Sequence, residues 1–163
     1  MEDIDNLTQQ HDEIVALLKK LTNHDSDKDI MDNAKGLSLT LGQLTGKMYF
    51  HILAEERTLY SPLLSHKNES IRETCRKYSA EMDNITIKFR MYRAAYSNAG
   101  KIFKHPTAFR YRTAAIAKTI IQRFENEKLV LFPILERVYG SYEICGEKAW
   151  HLPAVKANGP NQT

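Results

Sequence analysis

The sequence predicts an all-α protein: an up-down-up-down antiparallel four-helix bundle over residues 1–140, with a short, partly irregular C-terminal tail at 141–163. Three observations carry that expectation. Apolar residues recur at alternating steps of three and four in four separate segments, the spacing of one face of a helix. Only 12 of the 163 residues are Gly or Pro, so little interrupts long helices. The breakers that do occur fall between the segments and leave connections short enough to make successive helices antiparallel neighbours.

The first helix follows from Ile4, Leu7, Ile14, Leu18 and Leu21, and Asn23-His24-Asp25-Ser26-Asp27 supplies the loop after it. The second runs through Leu37, Leu41, Leu44 and Met48 and resumes at Leu59. Gly36, Gly42 and Gly46 on it read as close-packing positions or a weak stretch. Residues 62–68 make the next loop, with Asn68 as N-cap of the third helix and Glu69 placed for its dipole. The third stripe is unbroken: Ile71, Cys75, Tyr78, Met82, Ile85, Phe89, Tyr92. Asn98-Ala99-Gly100 ends it, Pro106 suits the first turn of the fourth helix, and Phe109, Ile116, Ile120, then Val130 or Leu131, and Ile134 form the last stripe.

Composition bounds the function. The chain is 42% hydrophobic and 26% charged, as a globular domain is, and no apolar run approaches the roughly 20 residues a membrane-spanning helix needs. The acidic start, Met1-Glu2-Asp3-Ile4-Asp5, lacks the apolar core of a signal peptide, so the expected location is cytoplasmic. Cys75 and Cys145 make no disulfide framework and no metal spacing, and Cys75 falls on an apolar stripe as a buried thiol. No nucleophile–base pair, phosphate-binding glycine loop or nucleotide fingerprint points to an enzyme. The net charge of +3 is uneven: between Asp83 and Glu125 stand nine cations and no acid, leaving 14 basic against 20 acidic residues elsewhere. Aromatic residues interleave with those cations, a mixture that could meet an acidic protein or nucleic acid. No recognition motif accompanies it, and a solvated basic face is the favoured reading.

The gaps in the stripes carry the chemistry. The helical step lands on His11 in the first helix, on His51 and Glu55 in the second, and on Arg123 and Glu127 in the fourth. Desolvating such groups costs several kcal/mol each, so five on one core need a shared explanation. At about 1.5 Å per residue they lie within roughly 10–24 Å of the same bundle end, on neighbouring turns. The two halves also echo one another. Gln10-His11-Asp12-Glu13-Ile14 parallels Glu81-Met82-Asp83-Asn84-Ile85, and His51-x-x-x-Glu55 with Leu59, Tyr60 and Pro62 parallels Arg123-x-x-x-Glu127 with Leu131, Phe132 and Pro133.

At these residues the chain resembles the hemerythrin-like (HHE cation-binding) family over about residues 4–139, most specifically in His51-x-x-x-Glu55-Glu56-x-x-Leu59-Tyr60, Glu127-x-x-x-Leu131-Phe132-Pro133 and Gln10-His11-x-x-Ile14. The resemblance implies a bundle holding non-haem iron, usually a di-iron pair bridged by carboxylates, in proteins that carry oxygen, sense oxygen, nitric oxide or redox state, or handle iron. Met82 and Arg123 stand where that pattern expects histidine ligands, so His11 and His51 alone cannot complete a five-histidine di-iron site. His24, His66, His105 and His151 fall off the core stripes and read as solvated.

The resulting expectation is a metal site of His11, His51, Glu55 and Glu127, with Glu81 as a possible fifth group. It would take one iron rather than two, and Mn(II) or Zn(II) would suit the same donors. A small gas ligand, oxygen or nitric oxide, is the expected visitor, and an acidic protein the possible partner of the basic face. The competing expectation is metal-free: the Arg123 fork closes an ionic network with Glu127, Glu55 and His51.

Overall fold

The computed structural model describes residues 2–144, with side-chain surroundings through Tyr139. Among these residues the structure is helical throughout its elements, with no strand. Four rods form a bundle. The first is α1 (Glu2–Thr22). The second is α3 (Ala34–Glu55), which runs through a π-helical turn (Glu56–Tyr60) into α4 (Ser61–Leu64). The third is α5 (Glu69–Ala95). The fourth is α7 (Pro106–Asn126), which runs through a second π turn (Glu127–Leu131) into α8 (Phe132–Ile144). The fourth helix thus continues past Gly140; the rest of the expected tail lies outside the described residues.

Polar contacts fix the register between rods. Lys47 Nζ reaches Glu13 at 2.5 Å while His51 meets Gln10 at 3.1 Å, which is possible only if α1 and α3 are antiparallel. Tyr92 Oη to Thr113 Oγ1 at 2.7 Å and Arg123 to Glu81 at 3.4 Å say the same of α5 and α7. His11 stands 3.1 Å from Glu127, and Arg110 donates to the Asp25 carbonyl at 2.9 Å, so α1 and the fourth rod are antiparallel too.

Two short helices absent from the sequence expectation close one end: α2 (Asp27–Asp32) and α6 (Ala99–Lys104). Each has its own cap. The Ser26 side chain accepts from the Asp29 amide, and Asn98 from the Lys101 amide, so Asn98 begins a helix rather than ending one. Each buries one apolar residue, Ile30 and Ile102. Two turns are too short for periodicity to register. Asn68 and Pro106 cap and start their helices as expected.

The π turns precede Pro62 and Pro133. A proline inside a helix lacks the amide donor and crowds the carbonyl four residues earlier. A wider turn relieves that crowding without breaking the rod, and such turns cluster at functional sites.

The core is split in two. The larger apolar cluster runs from Ile14 to Phe124 and includes Met48, Met82, Phe89, Phe109 and the two capping isoleucines. The smaller one, at the opposite end, gathers Ile4, Leu7, Leu59, Leu63, Cys75, Leu131 and Leu135. Between them lies a layer of buried polar groups: His11, His51, Glu55, Arg123 and Glu127, none more than 3% exposed. No helix among the described residues is long and apolar enough to cross a membrane.

Candidate metal centre

His11, His51, Glu55 and Glu127 converge from three rods. Each offers one ligand atom, all four atoms lie within 4.8 Å of one another, and all four side chains are buried. The helical step explains the convergence: His51 and Glu55 are one turn apart on α3, and the π turns begin at Glu56 and at Glu127.

The imidazoles are held by their neighbours. His11 stacks on Phe124 (centroids 3.8 Å apart, planes 9° apart) and meets His51 edge-on at 4.8 Å. His51 Nδ1 faces the Gln10 Oε1 acceptor at 3.1 Å, so the proton sits on Nδ1 and the Nε2 lone pair turns into the site, 3.8 Å from Glu55. Burial, reinforced by His11 and Arg123, lowers the His51 pKa to about 4 and keeps the ring neutral.

The two carboxylates differ. Burial pushes Glu55 well above the usual carboxylate range, and facing Glu127 pushes it further. Burial pushes Glu127 the same way, but the contacts of His11 and the charge of Arg123 outweigh it and leave Glu127 below the ordinary value. Arg123 donates from Nε to Glu127 and from Nη2 to Tyr60, reaches Glu81 at 3.4 Å, and stacks 4.7 Å above the Tyr78 ring. Burial alone would lower its pKa, yet Glu127, Tyr60 and Glu55 raise it, so the charge is fixed. Tyr60 is raised by burial and by Glu55, and its phenol keeps its proton.

A cation fits this chamber. Six buried polar atoms on the four residues make no aligned hydrogen bond: both His11 ring nitrogens, His51 Nε2, both Glu55 oxygens and Glu127 Oε2, although His11 Nε2 and Glu127 Oε2 lie 3.1 Å apart. Orphaned buried groups normally cost about 1–3 kcal/mol each, more when charged. Nitrogen and carboxylate oxygen together are the donor set of Fe(II), Mn(II) or Zn(II). Arg123 does not close the network the metal-free expectation required, because neither Glu55 nor His51 receives a hydrogen bond from it.

The other sequence candidates are placed as follows. Glu81 is not in the group of four; its side chain is 45% exposed and turned toward Arg123. Met82 is buried in the larger apolar cluster. His24 is held by Asp29 at 2.5 Å and His66 accepts from the Asn68 amide, and neither belongs to the converging group. Of the nine clustered cations, Arg123 is buried, Arg110 pairs with Asp27 at 3.6 Å, and Lys101 donates to the Ala94 carbonyl. Gln10 and Tyr60 contact the site although neither was assigned to it. Both stand inside the Gln10-His11 and Leu59-Tyr60 motifs, which was the available signal.

An all-α bundle with a buried set of two histidines and two glutamates at mid-depth defines a cation-binding class of helical protein. The hemerythrin HHE cation-binding domain model matches residues 2–135, and the chain belongs to that family. No curated protein and no solved structure matches it.

Proposed function

We propose that the chain holds a single iron ion on His11, His51, Glu55 and Glu127 and works as a sensor or handler of iron, oxygen or nitric oxide. The carrying observation is the convergence of four buried ligand atoms within 4.8 Å of one another, on residues six of whose polar atoms make no aligned hydrogen bond. The charges support a single ion. As metal ligands the two imidazoles would be neutral and Glu55 and Glu127 ionised, contributing two negative charges to which Arg123 returns one, so one divalent ion already overbalances the chamber and a second would find no further anion among the four.

Iron bound there supplies one-electron redox chemistry and affinity for small gas ligands. The chain's own residues do the rest. Gln10 orients His51, Phe124 and Phe132 stack on His11, and Arg123 anchors Glu127 so that its second oxygen faces the chamber. The four ligands come from three rods, so any change at the centre pulls on the bundle at several points. That is the physical basis for sensing.

The test is elemental analysis of protein expressed in iron-rich medium, with hydrogen exchange measured with and without nitric oxide. The expected result is about one iron per chain and altered exchange in α1, α3 and α7. Metal content below about a tenth per chain, unchanged by reconstitution with Fe(II), Mn(II) or Zn(II), rejects metal binding. Two irons per chain reject the single-ion reading, and unaltered exchange rejects the sensing role.

A further inference from the structure

The helix α3 is apolar on two opposite faces. One face, Leu37, Leu41, Leu44 and Met48, is buried in the core. The other, directly opposite on the helical wheel, presents Leu39 (65% exposed), Tyr49 (61%), Phe50 (67%) and Leu53 (49%). These are four of the nine large apolar side chains exposed among the described residues. Helices apolar on both sides are normally covered on both sides.

The same outward surface carries glycine. An added Cβ at Gly36, Gly42 or Gly46 would meet no heavy atom within 4 Å, so these glycines are not packing positions within the chain. A glycine in an exposed helix interior costs about 1 kcal/mol relative to alanine, and three of them weaken α3 with no contact inside the monomer to offset it.

We infer that this face is the interface of a homodimer, in which α3 of a second copy lies antiparallel across it. The surface is complementary to itself. If Gly42 of one copy faces Gly46 of the other, Tyr49 comes level with Leu39, Phe50 lies one residue beyond that level, and Leu53 comes level with Lys35. One two-fold axis then repeats every contact, as an isologous interface requires. The Tyr49 and Phe50 rings already pack edge-to-face at 5.6 Å, which lowers the entropy cost of docking them. The four side chains expose roughly 500 Å² per copy. Complete burial of these residues in two copies would remove about 1,000 Å², and the strip through Lys35, Gln43 and the glycines adds to it, which brings the face to the low end of the roughly 1,200–2,000 Å² of specific interfaces.

Sedimentation velocity of the full chain across a concentration series tests the inference. The expected result is a reversible monomer–dimer equilibrium. Leu39→Glu with Phe50→Glu weakens it on the order of a hundredfold while helix content by circular dichroism is unchanged, because both side chains face outward. A second pair, Gly42→Leu with Gly46→Leu, separates close helix contact from general stickiness. Both leucines favour the helix and add apolar surface, so unspecific association would strengthen, whereas a glycine-lined contact is blocked and the chain becomes monomeric. A monomer at every concentration overturns the inference and leaves the face to a different protein. Tighter association of the leucine variant overturns it as well.

Discussion

The two helical hairpins use one backbone plan for two kinds of chemistry. Each has a buried glutamate at the entry to a π turn and a proline just beyond it: Glu55, which immediately precedes its turn, with Pro62, and Glu127, which begins its turn, with Pro133. The first hairpin leaves its polar groups unsatisfied: His11, His51 and Glu55 hold five orphaned atoms. The second carries its own cation, since Arg123 occupies Glu127 and contacts Tyr60 and Glu81, and Met82 fills the place that corresponds to His11. The difference teaches that half of a two-fold pattern can keep the fold while exchanging ligands for an internal guanidinium. Glu127 is the shared element, with one oxygen bound to Arg123 and the other open to the chamber.

Making the second hairpin resemble the first is the strongest way to break the contrast. Met82→His with Arg123→His replaces a filler and a cation by two neutral donors, so the variant should bind about two metal ions per chain instead of one. That gain is on the scale of about 10 kcal/mol of binding free energy for a histidine- and carboxylate-rich site. Elemental analysis decides it, and a count that stays at one shows that something beyond Arg123 sets the stoichiometry.

The two glutamates should respond oppositely in metal-free protein. Glu127→Ala leaves a buried guanidinium with its main partner removed and should lower stability by about 3–5 kcal/mol. Glu55→Gln removes a buried carboxyl whose oxygens have no partner, so urea unfolding of the apo protein should show stability unchanged or raised. The same Glu55→Gln protein should bind metal on the order of a hundredfold more weakly. Equal destabilisation by both substitutions would show that Arg123 neutralises the two carboxylates alike.

Much of this arrangement was legible because burial and helical period are coupled. A polar residue at a stripe position is buried whatever its chemistry, so His11, His51, Glu55, Arg123 and Glu127 could be placed on the core before their contacts were known. Glu81 shows where that logic stops. It adjoins Met82 at the edge of the stripe, where a small rotation decides between chamber and solvent, and its half-exposed carboxylate stops 3.4 Å from the buried Arg123 instead of joining the four. Residues in α2 and α6 were hidden for a different reason. Helices of six residues carry too few apolar positions to show a period, and their N-caps, Ser26 and Asn98, also read as loop residues. The glycines of α3 were visible, but their outward placement is set by how the bundle packs around that helix.

The smallest effect comes from Gln10, which bears on the first hairpin alone. Its Oε1 accepts from His51 Nδ1 at 3.1 Å across the α1–α3 seam and thereby fixes which ring nitrogen faces the chamber. It is not itself among the four converging residues. Gln10→Ala removes that acceptor while sparing every donor atom, and the freed ring can populate the other tautomer, in which Nε2 carries a proton and cannot bind a cation. Outer partners of metal-bound histidines are typically worth 10–100-fold in affinity. Because Gln10 is partly exposed and water can replace it, the expected loss is at the lower end, about tenfold. The Gln10→Glu variant sharpens the reading: it keeps an acceptor facing Nδ1 and should restore the affinity. Competition titration against a chromophoric chelator measures both variants. If alanine and glutamate weaken binding equally, Gln10 serves only to pack the seam, and the first hairpin orients His51 by some other contact.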